Sequence, residues 1–476
     1  MMSIFNFNNK YNLIFCILIR YNFLEVIILE RIKLLKDLKK NKNGEYILYW
    51  MQQSQRVNYN HALNYAIEKA NKFGLPLVVA FGVTAYPEAN ERHYYFMLEG
   101  LKEVKEELEK RGITFIIKIE NPVNLVLDLS KQSAITVVDK GYLKVPRDWR
   151  NKLAEKIEVP LVEVESDLVV PVEEASKKEE YAAYTIRKKI TNQLSKYLEK
   201  VEEIEIINKN RINIIGGENL EDIENLIDRL NLDKSVHRTK YFKGGYSSAK
   251  ELLDNFIRFR LEKYSELKND PTTEYTSNMS PYLHFGQISP LEIALEAKSK
   301  GLTENTESFL EELIVRRELA FNFCYYNENY DNYKGLSANW IFETLEEHKK
   351  DVRDYIYDVE QFEKAKTHDE IWNACQKELV ITGDMHGYMR MYWGKKILEW
   401  TKTPEEAFDI AIYLNNKYAL DGRDPNSYTG IAWCFGKHDR PWFERNIFGK
   451  VRYMNDSGLR RKFRVDDYMK RIEKLK

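Results

Sequence analysis

The stretch Glu45-Tyr46-Ile47-Leu48-Tyr49-Trp50-Met51-Gln52-Gln53-Ser54 decides the fold of the first third of the chain. Its apolar run 46–50 has the length of a buried strand, and residues 60–72 behind it carry apolar side chains at helical spacing. The alternation repeats downstream, with apolar runs at 75–81, 114–119, 135–139 and 161–164 and a helical stretch at 91–110. Strand, helix, strand at this interval predicts parallel βαβ units and a Rossmann-like, doubly wound α/β sheet. The turn after the first strand, residues 50–54, lacks the glycines of GxGxxG, so a dinucleotide held on that fingerprint is not expected there.

Residues 173–200 are charged and helical in character, and the Asn-rich stretch 208–224 reads as a connection. Beyond it the strand signal ceases. Helical periods run to the C-terminus, broken by Pro271, Pro281, Pro290, Pro404 and the turn Asp421-Gly422-Arg423-Asp424-Pro425-Asn426. The expected organisation is an N-terminal extension (1–44), an α/β domain (45–170), an interdomain connection (171–244) and an all-α domain (245–476).

A chain of 476 residues with 43% hydrophobic and 31% charged residues is that of a soluble globular protein, long enough for two cores. The formal net charge of −1 points to no partner, but between Gly436 and Lys476 there are 13 Lys+Arg and 6 Asp+Glu, a balance of 13 − 6 = +7. Such a segment either faces nucleic acid or is a solvated helical face, and charge alone leaves both open. Cys16, Cys324, Cys375 and Cys434 form no CxxC pair, so no metal centre is expected, and so few thiols suit a reducing cytoplasm. The apolar run 13–19 lacks a cleavage site and is interrupted by Arg20, Asn22 and Glu25, well short of the ~20 residues of a membrane span; no membrane role is expected.

Six of eight tryptophans follow residue 339: Trp340, Trp372, Trp393, Trp400, Trp433 and Trp442. Clustered indoles in a partly basic domain suit base stacking, worth ~1–3 kcal/mol per base, or electron transfer beside a redox cofactor; for any single one, core packing is the competing explanation. Trp393 and Trp400, seven apart, share a helix face.

Ordered motifs then accumulate: Thr276-Ser277-Asn278-Met279-Ser280-Pro281-Tyr282, Trp372-Asn373-Ala374, Met385-His386-Gly387-Tyr388-Met389-Arg390-Met391-Tyr392-Trp393, Leu420-Asp421-Gly422-Arg423-Asp424, Gly430-Ile431-Ala432-Trp433 and His438-Asp439-Arg440-Pro441-Trp442. Together they resemble the FAD-binding half of class II cyclobutane pyrimidine dimer photolyases, over roughly residues 245–465; the N-terminal half matches more loosely. The resemblance implies FAD as cofactor, bound by Tyr264, Thr276, Ser277, Asn278, Met279, Ser280, Arg390, Asp421, Gly422 and Arg423, with Arg390 and Asp421 as a charged pair beside the isoalloxazine ring. A helix N-cap at Ser277 or Ser280 is compatible with that role. It places Asn415 near flavin N5. It implies electron transfer to the flavin along Trp393, Trp372 and then Trp400 near solvent. Glu312 would hydrogen-bond the lesion; Asn269, Met391 and Trp433 would line its pocket, and Arg316 stands where some members carry tryptophan. Arg440, Trp442 and Arg452 would hold the duplex opened by base flipping. Ser427 replaces the family's usual glycine.

The implied activity is light-driven splitting of the dimer in double- or single-stranded UV-damaged DNA, by a monomer with no obligate protein partner. A second antenna chromophore, a deazaflavin or folate, would sit in the sheet domain. The alternative is a cryptochrome-like blue-light photoreceptor, with the same fold and flavin but no repair.

Overall fold

The computed structural model describes residues 29–475. The apolar run 13–19 and Cys16 lie outside the described residues. Six strands form one sheet in the order β1-β6-β5-β2-β3-β4: β1 Ile32–Lys36, β2 Tyr46–Trp50, β3 Leu77–Val83, β4 Thr114–Ile119, β5 Ser133–Asp139 and β6 Leu161–Val164. Strands β2 to β6 are mutually parallel, with Ile47 opposite Leu77 on one side and Ile135 on the other. Alternation sorts β2 between two cores. Ile47 and Tyr49 pack under the helices His61–Phe73 and Glu91–Lys110, while Tyr46, Leu48 and Trp50 pack under Pro122–Ser130 and Lys144–Lys156.

Two differences from the sequence reading have physical causes. The stretch read as an extension contributes β1, which pairs antiparallel to β6 (Ile32 opposite Val164), so the sheet is parallel with one antiparallel edge. An edge strand that is half exposed carries too little apolar alternation to announce itself. The connection, too, is integral: its 172–197 part holds three short helices, and Glu218 N–H donates to the Ile117 carbonyl of β4 at 2.8 Å.

The glycine-free turn after β2 also has an explanation. The Asp139 carboxylate at the end of β5 accepts the backbone N–H groups of Gln52, Gln53 and Ser54 at 2.9, 2.9 and 3.0 Å and the Tyr49 hydroxyl at 2.7 Å. Donors that would cradle a phosphate in a dinucleotide fold are here consumed by a buried acid.

Beyond residue 245 every described element is helical. A large core gathers Trp372, Trp393, Trp400, Phe408, Ile431 and Tyr468; a second core, around Phe256, Tyr282 and Phe309, reaches back to Phe96 of the α/β domain. The domains are locked at the start of the helix Glu91–Lys110. Asn90 Nδ2 donates to the Lys417 carbonyl (2.6 Å), Arg92 to those of Tyr418 (2.9 Å) and Val380 (2.6 Å), and His93 Nε2 to that of Ala419 (3.0 Å). These are the carbonyls that the ends of two helices leave unpaired. Burial lowers the Arg92 pKa to about 10, leaving it charged and well placed at two negative helix ends.

Arg31 anchors β1: its buried guanidinium donates to the carbonyls of Glu165 (3.3 Å), Leu168 (3.0 Å) and Val169 (2.6 Å). Arg31→Ala leaves three buried carbonyls unpaired and is expected to lower unfolding stability by roughly 2–4 kcal/mol, read as a denaturant midpoint shifted at constant slope.

Candidate functional site

The helix Gly387–Glu399 carries the centre of the site. His386 caps it, its ring nitrogen accepting the Tyr388 N–H at 3.2 Å. At Gly394 a Cβ would lie 2.6 Å from Cys434 Sγ, so only glycine lets the helix Pro425–Cys434 approach this closely. Arg390 projects from the first turn and meets two carboxylates, Asp421 at 3.3 Å and Asp384 at 3.3 Å. Burial disfavours the guanidinium charge, but the two acids more than offset it and hold its pKa above the usual arginine value. Its Nε has no partner. The Arg390–Asp421 pairing was expected; the third member, Asp384, was not, and its place six residues before Arg390 in a turn gave no periodic signal.

Asp421 owes its position to a strained turn. A Cβ at Gly422 would meet the Ala419 carbonyl at 2.9 Å, and Arg423 adopts φ +62°. The Arg423 guanidinium bonds other partners than Arg390 does. It donates to the Asn416 carbonyl and lines a cavity between the domains with Trp50, Tyr86, Trp149, Phe285 and Asp424. Arg423 was expected at the same ligand as Asp421 and Gly422; its guanidinium lines the interdomain cavity, whereas Asp421 pairs with Arg390. The cavity opens beyond the C-terminal ends of β2 and β3, beside the point where strand order reverses, the usual ligand position in open α/β sheets.

Asn415 is buried on the helix Pro404–Tyr418, and its Nδ2 donates to Ser427 Oγ. The substitution of glycine by Ser427 thus supplies a hydrogen-bond acceptor without breaking the helix start at Pro425.

Across the site, Tyr264 packs edge-on against Phe256 and Phe309. Burial, then the Glu312 charge, raises its hydroxyl pKa. Glu312 lies in a π-helical turn, Glu311–Arg316, and its exposed carboxylate accepts from Lys268 Nζ at 2.8 Å. One extra residue per turn is a feature common at functional sites. The same turn sets the Arg316 guanidinium 5.9 Å from the Trp433 ring. In the segment 276–280, Thr276 Oγ1 bonds Asn278 Oδ1 (2.9 Å), Asn278 is left-handed (φ +56°), and Met279 is buried. Neither Ser277 nor Ser280 caps the following helix Ser280–His284, whose cap position is Met279 and lacks a side-chain bond. Both serine hydroxyls are thereby left for another partner. Asn269 is exposed and Met391 half-buried.

The three indoles form a series. Trp372 stacks on Trp393 with centroids 6.3 Å apart and planes at 7°, and meets Trp400 at 6.2 Å and 67°. Trp372 Nε1 donates to the Trp393 carbonyl at 3.0 Å and Trp393 Nε1 to Gln376 at 2.9 Å. Trp372 therefore lies between the other two, although its own helix, Glu370–Thr382, precedes theirs. Trp400, expected near solvent, is itself 3% exposed and is covered by the half-buried Tyr357 and the exposed His368. Finally, Trp442, 38% exposed, has the Arg440 and Arg452 guanidiniums 5.2 and 5.1 Å from its ring, beside Phe443 at 91% exposure.

A deoxyribodipyrimidine photo-lyase of Methanothermobacter thermautotrophicus is 48% identical over 448 residues, covering 94% of this chain and 98% of that one. The chain belongs to the DNA photolyase family. The family profile itself matches residues 47–205. Among solved structures, a class III photolyase of Agrobacterium tumefaciens shares the fold with TM-score 0.68 and 19% identity, over 92% of this chain and 88% of that chain. An archaeal photolyase of Sulfolobus tokodaii with two FAD molecules does so with TM-score 0.67 and 18% identity, over 89% of each chain. Cryptochromes match this photolyase-family chain more distantly. Among the described residues no cluster of His, Cys, Asp and Glu could hold a metal, and no helix is long and apolar enough to cross a membrane.

Arg390→Met removes the shared cation from two carboxylates. Its side chain is 18% exposed, so the expected loss is about 2–3 kcal/mol rather than the ~3–5 of a fully buried pair. The unpaired acids take up protons more readily, so the loss should shrink as pH falls from 8 towards 5, measured by urea unfolding of the ligand-free chain.

Proposed function

We propose that the chain is a light-driven DNA repair enzyme that splits cyclobutane pyrimidine dimers with reduced FAD. Light on the bound FAD supplies one electron to the dimer and recovers it after the ring opens, so no net oxidation occurs. The residues fit such a group. The unpartnered Arg390 Nε, together with the free hydroxyls of Ser277 and Ser280, supplies donors for an anionic ring and a pyrophosphate. Tyr264, residues 276–280, Arg390, Asp421 and Gly422 would hold it, with Asn415 fixed by Ser427 beside it. Glu312, now held by Lys268, would hydrogen-bond the flipped dimer, while Met391, Trp433 and Arg316 would wall the lesion and Asn269 would contact it. The interdomain cavity supports a second, light-harvesting chromophore of the deazaflavin, folate or flavin class.

The observation that carries repair over signalling is the exposed Arg440–Trp442–Arg452 stack. A photoreceptor has no use for an indole flanked by two cations and held out to solvent, whereas an opened duplex offers a hole for the ring and phosphates for the guanidiniums. Arg452→Ala is therefore expected to weaken binding to dimer-containing duplex more than to a damaged single strand, which has no hole to fill. Equal losses on both, with a salt slope lower by about one, would make the arginine an ordinary phosphate contact.

The indole series serves the same flavin, as the route by which Trp393, Trp372 and Trp400 replace its electrons. Trp372→Phe should abolish photoreduction of oxidised FAD yet leave repair intact once the flavin is reduced chemically. If the ring only fills the core, the variant loses roughly 1–3 kcal/mol of stability and still photoreduces; flavin bleaching under blue light, read beside the melting temperature, separates the two.

A further inference from the structure

Beyond Trp400 the aromatic series does not stop. Tyr357 lies edge-on to the Trp400 ring, 5.8 Å between centroids and 82° between planes, and its backbone N–H donates to the Trp400 carbonyl at 3.0 Å. His368 lies 4.9 Å from the same indole. The Tyr357 hydroxyl stands 2.8 Å from His368 Nδ1, and its oxygen also accepts the His368 backbone N–H at 3.0 Å. Tyr355, 46% exposed, stacks on the His368 ring at 3.6 Å and 14°. Tyr357 is half-buried and His368 exposed, so this is a poor place for two polar rings to serve as core.

We propose that Tyr357 is the terminal electron donor of the indole series, with His368 as the base that takes its proton. This rests on the reading that Trp393, Trp372 and Trp400 conduct electrons to the flavin. A phenol resists losing an electron unless its proton leaves with it, and the acceptor must already lie within hydrogen-bond distance. Here the hydroxyl oxygen is occupied by the backbone N–H of residue 368. In the tautomer that leaves Nδ1 unprotonated, the phenol's own proton is directed at that nitrogen. The step balances. An indole of Trp400 that has lost one electron regains it from Tyr357; the phenol O–H bond breaks; the proton passes to Nδ1, and His368 becomes an imidazolium. Trp400 is restored, a neutral tyrosyl radical remains, and the positive charge has moved from a buried indole to an exposed imidazole. That displacement opposes return of the electron, because a charge in water is cheaper than one in the core.

The test uses the full chain with oxidised FAD, a blue flash, transient absorption and electron paramagnetic resonance of freeze-trapped samples. The unmodified protein should show an oxidised tryptophan giving way to a tyrosyl radical, more slowly in heavy water. Tyr357→Phe, which keeps the ring, should lose the tyrosyl signal and shorten the life of the oxidised tryptophan. His368→Phe, which keeps the stack on Tyr355 but not the base, should slow tyrosyl formation on the order of a hundredfold while tryptophan oxidation proceeds normally. A tyrosyl signal undiminished in Tyr357→Phe, or unaltered tryptophan decay beside a lowered melting temperature, overturns the assignment. The Trp372→Phe protein isolates the underlying route. If Trp400 is still oxidised there, the indole order is at fault; if it is not, while both variants behave like the unmodified chain, the tyrosine alone is.

Discussion

The site depends on how the α/β domain grips the end of one helix. Asn90, Arg92 and His93 satisfy three successive carbonyls, at Lys417, Tyr418 and Ala419, where the helix Pro404–Tyr418 runs out of internal partners. The next residues are the turn that holds Asp421. Arg92 simultaneously reaches Val380, at the end of the helix preceding Asp384. A single buried guanidinium therefore fixes, from a different domain, the chain segments that supply both carboxylates to Arg390. Catalytic geometry of this kind demands placement to a fraction of an ångström, and loops alone rarely give it.

The two halves of the candidate site use charge in opposite ways. Around Arg390 one cation serves two acids in a largely dry environment, and the two acids together keep the guanidinium charged. Around Glu312 the carboxylate is exposed and held by one flexible lysine, a contact weak enough to be exchanged for a ligand. The first arrangement suits a permanently bound group, the second a substrate that comes and goes. The π-helical turn fits this division, since it alters the facing of Glu312 and Arg316 without disturbing Leu313, Ile314 and Val315, which stay buried.

Much of this was legible in residue order. Runs 114–119 and 161–164 match β4 and β6, and the helix 91–110 agrees at both ends, because buried parallel strands and long amphipathic helices carry strong periodic signals. The Arg390–Asp421 contact and the central place of Trp372 also agree with the resemblance. What escaped was whatever depends on packing between distant segments. The domain latch looks like a polar helix start; its one clue was a cation, Arg92, in a first turn where the helix dipole disfavours it. Trp400 ends its helix as a surface residue would, and only the fold of residues 355–368 covers it. Arg423 lies two residues from Asp421 in sequence, yet at a left-handed turn one side chain lines the interdomain cavity and the other pairs with Arg390.

The polar segment 208–224, read at first as a mere connection, has a protective consequence. A parallel sheet ends in strands whose backbone groups would pair with any extended chain that came near, the route to fibrils and misassembly. Along β4 that invitation is withdrawn: Ile212 N–H bonds the Thr114 hydroxyl and Glu218 N–H the Ile117 carbonyl. At the opposite border the sheet finishes in a five-residue strand bearing Lys33 and Lys36, too short and too charged to recruit a neighbour. Both flanks of the sheet are thus guarded against polymerisation, and the segment that looked like slack supplies the cover along β4 through Ile212 and Glu218.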